Sequence, residues 1–444
     1  MKKKILSLIM VAVLVLGLTG CGGSSKSSQK TDSSGGSDDN TKVTESADSS
    51  KGTADSNKTV EFEFVEVKRE AGDTYAKLIE KFNETHPNIK ITLNVIPDAQ
   101  EVLMTRASAD NLPDMFNHWP TDAQYVQFAR EGLLLDQSGE DYLSNIAPNY
   151  TDALKDADGH LYIVPYNMNY MGLYYNVDKF KEAGFKEPTT WNELIDIAKK
   201  IKEKGETAFI LPNKDAWTVS QLWSNIESKD LGGHAEIYAK MNKGETSFSQ
   251  IPEYKSALEK MIQLLDYAEE DSLALGYDQA INDFANGKGW MFIQGNWALP
   301  SMKAANADFK VAMIPLPNDN GDMIQTTGAD SGFCINAKMA DDPDKLAAIK
   351  EFIGFLVSTE GAQMYTDLDQ SPSCVTGVTL NVPEMDGMNK YIAEKGAVLD
   401  TAVLPTGFED TKRGKIQNVL IDKDVDAFLA EMSEDYKQAV SEEQ

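Results

Sequence analysis

Apolar residues alternate along Thr59–Val67, TVEFEFVEV, which is the period-two pattern of a β-strand. The next stretch, DTYAKLIEKFNETHP, places Leu78, Ile79 and Phe82 at helical spacing and stops at Pro87. NIKITLNVIP then alternates again, so the order β-α-β predicts a parallel strand pair joined by a helix crossover. QYVQFAREGLLLDQS is helical up to Gly132, the turn DADGH precedes a strand in LYIVPYN, and MGLYYNVDKF supplies another. EPTTWNELIDIAKKIKEKG predicts a helix with Thr190 and Glu193 as a capping box and Gly205 as its end. From about Asn213 to Leu275 the pattern is mostly helical. INDFANGKGWMFIQGNWALPSM then runs from helix to strand to a short helix after Gly295, and FKVAMIPLP and DSGFCIN read as strands. DKLAAIKEFIGFLVSTEGAQMY predicts one long amphipathic helix, with Leu346, Ile349, Phe352, Ile353 and Leu356 on a single stripe. The C-terminal section is helical and no internal repeat is visible. The alternation predicts an α/β protein, and a body of about 386 residues is long enough for two domains.

The N-terminus departs from this pattern. Three lysines precede the apolar run Ile5–Leu18, whose 14 residues are too few to span a bilayer and fit a secretory leader. The run ends in LTGC, which resembles a bacterial lipobox and predicts cleavage after residue 20 and lipidation of Cys21. Acyl chains bound through ~0.8 kcal/mol per buried CH₂ would hold the chain on a membrane without crossing it. Gly22–Lys58 is mostly Ser, Gly, Thr, Asp, Asn and Lys with three apolar residues, which predicts a disordered tether of reach roughly 5–6 Å × √n.

Charge removes some functions. The formal charge is −28, and −31 once the three leader lysines are set aside, which argues against nucleic acid and against a basic membrane-docking patch. Besides Cys21 the chain has only Cys334 and Cys374, whose alternatives are an extracellular disulfide or, more commonly, two buried free thiols. Nothing requires catalysis. The four histidines show no metal-ligand spacing, GADSG is not a nucleophile elbow, NGKGW is not a phosphate loop, and DADGH is a turn rather than a calcium loop. No catalytic residue, metal or cofactor is expected, although 70 carboxylates leave a glycosidase pair open by count alone.

What does recur is an aromatic ring beside an amide or carboxylate where an element ends. FNHWPTD offers Trp119 and Asp122, and VPYNMNYMG offers Tyr166, Asn167, Asn169 and Tyr170. NKDAWTVSQLW offers Trp217 and Trp223, QGNWALP offers Asn296 and Trp297, and TGADSGF offers Asp330 and Ser331. Element ends are where α/β folds place ligands. Indole and phenol rings pack on the C–H faces of sugars, while Asp, Asn and Gln bond their hydroxyls. Any one of these tryptophans serves more often as core, but together the set points to a neutral polyhydroxylated ligand.

From about Val60 to Lys423 the chain resembles a bacterial extracellular solute-binding protein of family 1, the maltose-binding-protein-like type. The resemblance rests on YAKLIEKFNETHPNIKI, LPDMFNHWPTDAQYVQFAREGLLLD, GHLYIVPYNMNYMGLYYNVDKFKEAGF, PTTWNELIDIAKKIKEKG, AINDFANGKGWMFIQGNWALPSM and FLVSTEGAQMY, in that order. It implies a type II periplasmic-binding-protein-like fold: two α/β lobes joined by hinge strands, with the ligand in the cleft between them. The expected lobes are 59–168 with 331–369, and 169–330 with 370–444. Crossovers are expected near Asn167–Gly172, Gly328–Gly332 and Asp367–Ser373. By position, Trp119 and Asp122 match a stacking Trp and a hydroxyl-binding Asp, and Asn169 replaces a ligand-binding Glu. Trp217 lies close to an aromatic binding position, and Trp297 matches a stacking Trp. Lys68, Arg69 and Glu70 in VKREAGD fall where related receptors bring a charged pair to the sugar, and serve equally well as a solvated face. Between Val398 and Phe408 there is no Trp, so a late stacking residue of the family is absent or replaced.

The implied function is a monomeric receptor, lipid-anchored on the outer face of the cell membrane. It binds carbohydrate, closes its lobes and delivers the ligand to an ABC import permease. The alternatives are a polyol phosphate or amino acid as ligand, a surface glycoside hydrolase, and a non-transport adhesin.

Overall fold

The computed structural model describes residues 59–443 apart from Pro97 and Met323, so the predicted leader, Cys21 and tether lie outside the described residues. Among the described residues ten strands form two sheets. β1 (Val60–Glu66), β2 (Ile89–Val95), β3 (Met115–His118), β4 (Val164–Asn169), β9 (Thr326–Ile335) and β10 (Val398–Leu399) make the first. Its order is β10-β9-β3-β1-β2, with β4 also paired to β9. The second contains β5 (Met171–Asn176), β6 (Thr207–Ile210), β7 (Gly289–Gly295) and β8 (Val311–Ile314), in the order β6-β7-β5-β8. The expected β-α-β start is present: β1 and β2 are parallel, with Val60 opposite Ile89 and Glu66 opposite Val95.

Both faces of the first sheet are covered, as parallel α/β sheets require. Phe62 and Phe64 of β1 face Tyr75, Leu78 and Phe82 of the helix Gly72–Asn83 and Phe352 of the helix Pro343–Leu356. Val65, on the opposite face, packs with Leu103, Phe116, Tyr125 and Phe128. Glu66 falls on the Phe62–Phe64 face by its period and is fully buried. The second sheet buries Leu173 and Phe209 under Trp191, Leu194, Trp223, Tyr254 and Phe428. Its other face carries Tyr174, Phe292 and Met313, which join the Phe62–Phe64 cluster. Each sheet with its helices is a lobe.

The capping box is made: Thr190 accepts from the Glu193 N–H at 3.2 Å, and Glu193 accepts from the Thr190 N–H at 3.3 Å. The long helix predicted from Asp344 to Tyr365 is instead two, Pro343–Leu356 and Thr359–Asp369. Ser358 breaks it by accepting the Gly361 N–H at 3.1 Å, and Gly361 lets the chain turn back on itself, since a Cβ there would meet the Phe355 carbonyl at 2.2 Å. Cys334 and Cys374 are free and buried, which decides between the two readings of the cysteines. No helix among the described residues is long and apolar enough to cross a membrane.

Candidate functional site

The chain passes between the lobes at three places, and these places touch. β4 belongs to the first sheet and β5 to the second, leaving Tyr170 alone between them. β9 starts against the second lobe, where Thr326 Oγ1 meets Ser228 Oγ at 3.2 Å, and ends paired to β3. The passage therefore lies near Thr327–Gly328, at the upstream edge of the expected window. The third segment follows the helix Thr359–Asp369, where Met168 N–H bonds the Pro372 carbonyl at 2.8 Å and Cys374 N–H bonds that of Tyr166 at 2.9 Å. Thr327 Oγ1 donates to the Asn169 carbonyl at 2.9 Å, tying the first two passages together.

A buried polar network holds this junction. Lys68 Nζ donates to Asp330 Oδ2 at 2.7 Å, and Asn167 Nδ2 reaches the same oxygen at 3.2 Å. Ser331 Oγ donates to Asn167 Oδ1 at 2.5 Å and accepts from Asn117 Nδ2 at 3.3 Å. Burial alone would lower the Lys68 pKa, but the charges of Asp330, Asp369 and Glu70 outweigh it and hold the ammonium above its ordinary value. Burial pushes the Glu66 carboxyl well up, with the Lys68 N–H as the main opposing contact. On the other side, Asn296 Oδ1 accepts the Tyr170 N–H at 2.7 Å, and its Nδ2 donates to Ser371 Oγ at 3.0 Å.

The expected site residues differ in how far the protein itself engages them. Asn167, Asn296 and Asp330 are buried and bonded to protein groups of the passages. Asp122 is the N-cap of the helix Ala123–Arg130: Oδ1 accepts the Gln124 N–H at 2.8 Å and Oδ2 is bonded by Gln100 Nε2. Trp223 is 1% exposed and packed against Phe248, Tyr254 and Phe428, with its ring N–H on the Tyr254 carbonyl. It is core, because Val219, Leu222, Trp223 and Ile226 form the inward stripe of its helix.

The remaining candidates stay near the passages. Trp119 is half-buried after β3, its ring edge-on to the fully buried His118, which in turn bonds Gln124 Oε1 at 3.0 Å. Asn169 is half-buried at the end of β4. Trp297 is 8% exposed and folds back over Gly295, where a Cβ would lie 2.2 Å from its ring, so only glycine permits the approach. Trp217 is half-buried and meets Tyr277 edge-on at 4.9 Å. Burial, and after it the field of Glu70, keeps the Tyr277 pKa well above the ordinary value, against the opposing contact of its hydroxyl with the Trp297 side chain. Arg69 is exposed, 3.9 Å from Asp278. Trp217, Tyr277 and Trp297 thus form an aromatic group on the second lobe, facing the turn Arg69–Ala71 of the first.

Sequence reasoning missed Tyr277 and gave Lys68 no role of its own. Gly276 ahead of Tyr277 marks a helix start but says nothing of an aromatic neighbour 60 residues earlier in the chain. Lys68 and Asp330 are 262 residues apart. A second buried charge cluster lies under β10, where His234 Nδ1 bonds Asp400 Oδ2 at 2.5 Å and its Nε2 bonds Glu227 Oε1 at 2.9 Å. Burial lowers the imidazole pKa, but the two carboxylates outweigh it and raise it to about 9.

Residues 77–393 match the family described as bacterial extracellular solute-binding protein. The chain belongs to that family. This solute-binding protein is 30% identical over 325 residues to the multiple sugar-binding protein of Streptococcus mutans, covering 72% of this chain and 76% of the relative. It is 25% identical over 349 residues to the melibiose/raffinose/stachyose-binding protein MelE of Bacillus subtilis, covering 76% and 79%. Among solved structures, RafE in complex with raffinose superposes with a TM-score of 0.74 at 25% identity, over 86% of this solute-binding protein and the whole of RafE.

Proposed function

We propose that this chain is a receptor that binds carbohydrate between its two lobes and delivers it to an ABC import permease. The observation that carries the reading is its likeness, over most of its length, to RafE holding raffinose. The aromatic group Trp217, Tyr277 and Trp297, together with the half-buried Trp119 and Asn169, would supply the flat faces and an amide that a neutral sugar needs. A phosphate ester is a poorer fit, since Lys68 is already bound to Asp330 and Arg69 faces Asp278. The proposed lobes are 59–168 with 331–369 and 169–330 with 370–444, except that Asn169, Gly328–Asp330 and β10 pair into the first sheet and go with the first lobe, and the ligand favours closure by its extra contacts in the closed arrangement.

Lipidation at Cys21 and the tether to residue 58 would keep this monomeric receptor on the outer membrane face, beside its permease, at raised effective concentration. Replacing Cys21→Ala should move the protein from the membrane fraction to the medium, and retention on the membrane would sink the anchor.

A thermal-shift screen tests the ligand class. A sugar present at 100 times its Kd should raise stability by about 2.7 kcal/mol. Raffinose, stachyose, other neutral oligosaccharides, glycerol phosphate and amino acids form the panel. A shift with glycerol phosphate or an amino acid alone would overturn the carbohydrate reading. Trp297→Ala should weaken a genuine hit at least tenfold, and sugar recovered intact after binding would agree with a receptor rather than a hydrolase.

A further inference from the structure

The chain has only four arginines. Arg106 pairs with Glu63 inside the first lobe, and Arg413 pairs with Glu409 inside the second. The other two each reach across. Arg69 Nη2 lies 3.9 Å from Asp278 Oδ2, and Arg130 Nη1 lies 3.8 Å from Glu443 Oε2. Arg69 and Arg130 sit on the first lobe, one in the turn after β1 and the other at the end of the helix Ala123–Arg130. Asp278 opens the helix Tyr277–Ala285, which packs on the second sheet, and Glu443 follows the last helix, Val425–Glu442, of the second lobe.

The segments that carry the four groups are anchored. Arg69 follows Lys68, whose ammonium is fixed on Asp330. The helix carrying Asp278 is anchored by the Tyr277 N–H on Asp215 Oδ2 at 2.6 Å. Arg130 lies at a helix C-terminus, where the macrodipole favours a cation. Glu443 Oε1 accepts both the N–H and the hydroxyl of Thr406 at 2.7 Å, which leaves Oε2 toward Arg130.

We propose that these two arginine–carboxylate pairs are latches between the lobes: they favour the closed arrangement and so set the apparent affinity for the ligand. The proposal rests on the cleft-closure reading and assigns Arg69 to closure rather than to contact with the sugar. Neither pair belongs to the buried network at the passages, so either can be broken without unfolding the junction. The side chains of Arg69 and Asp278 are 63% and 76% accessible, and those of Arg130 and Glu443 63% and 29%. Each latch is therefore worth roughly 1.5- to 5-fold in the closing equilibrium. Apparent affinity scales with the fraction of molecules able to close, so the same factors appear in the Kd. Salt at 1 M, where the Debye length is about 3 Å, should weaken both latches.

Charge reversal tests this in the full-length chain in detergent, with fluorophores on Asn149→Cys in the first lobe and Lys186→Cys in the second. Without ligand, Arg69→Asp, Asp278→Arg, Arg130→Glu and Glu443→Arg should each lower energy transfer between the lobes. Each swapped pair, Arg69→Asp with Asp278→Arg or Arg130→Glu with Glu443→Arg, should restore it. With the sugar found in the thermal screen, single reversals should raise Kd by two- to tenfold and the swapped pairs should return it to within twofold. Energy transfer unchanged in all single variants overturns the latches. A Kd lost in Arg69→Asp and not recovered on adding Asp278→Arg also overturns the Arg69 latch and marks a direct sugar contact. If no carbohydrate binds, the carbohydrate reading fails, while energy transfer still decides the latches.

Discussion

Two buried cations anchor the two sides of this molecule, and they answer differently to pH. In the first lobe Lys68 sits on Asp330 with Asn167 alongside, and in the second His234 sits between Asp400 and Glu227. Both clusters border β9: Asp330 is on it, and the Asp400 N–H bonds the Thr327 carbonyl at 2.8 Å. The lysine is held above its ordinary pKa and stays charged throughout the working range. The imidazole, raised to about 9, loses its proton within reach of mild alkali. The geometry is alike, and the choice of Lys or His decides whether the junction can be loosened by pH.

Breaking the first cluster gives the largest expected effect. Lys68→Met should cost about 3–5 kcal/mol in urea unfolding, because Asp330 is left buried without its partner. A loss below 1 kcal/mol would show that the pair does not anchor the junction. The loss should be the same at pH 6.5 and pH 9, which separates it from the second cluster.

There the sign follows from linkage. The folded pKa of His234, about 9, exceeds the unfolded value of roughly 6.5, so its contribution is complete below pH 6.5 and lost as pH rises through 9. The shift corresponds to on the order of 3 kcal/mol. Glu227, whose carboxyl burial pushes up, drives stability the same way. Unfolding free energy should fall between pH 6.5 and 9 in the natural chain, and the fall should shrink in His234→Gln. An equal fall in both proteins would remove His234 as its source.

A smaller effect sharpens the comparison further. Ser331→Ala removes a donor to Asn167 and an acceptor for Asn117, both buried, and should cost about 1–3 kcal/mol. Ser220, whose hydroxyl meets Glu409 in the second lobe, is the matching control, because Glu409 keeps Lys412 and Arg413 as partners. Ser220→Ala should cost less than Ser331→Ala, and the reverse order would mean that the junction is not the more tightly satisfied region.

Much of this was legible along the chain. The alternation of TVEFEFVEV, the capping box at Thr190 and the amphipathic helices are local signals, and the elements form where those signals stand. The placements of Asp122 and Trp223 also follow from local signals. Asp122 directly precedes AQYVQFAR, which is an N-cap signature, and Val219, Leu222, Trp223 and Ile226 share the core stripe of one helix. Asp and Trp serve caps and cores more often than ligands, and both of those uses leave a local pattern.

The sequence by itself determined the α/β order, the helix boundaries set by caps and prolines, and the family, because each depends on neighbours within a few turns or on the order of segments. Only the tertiary structure decided which polar residues are spent on the fold. Lys68 finds Asp330 across 262 positions, and Tyr277 meets Trp217 only when two helices pack on one sheet. Burial and pairing are set by what lies opposite in space. An asparagine that locks a passage and an asparagine that waits for a ligand read the same in one dimension.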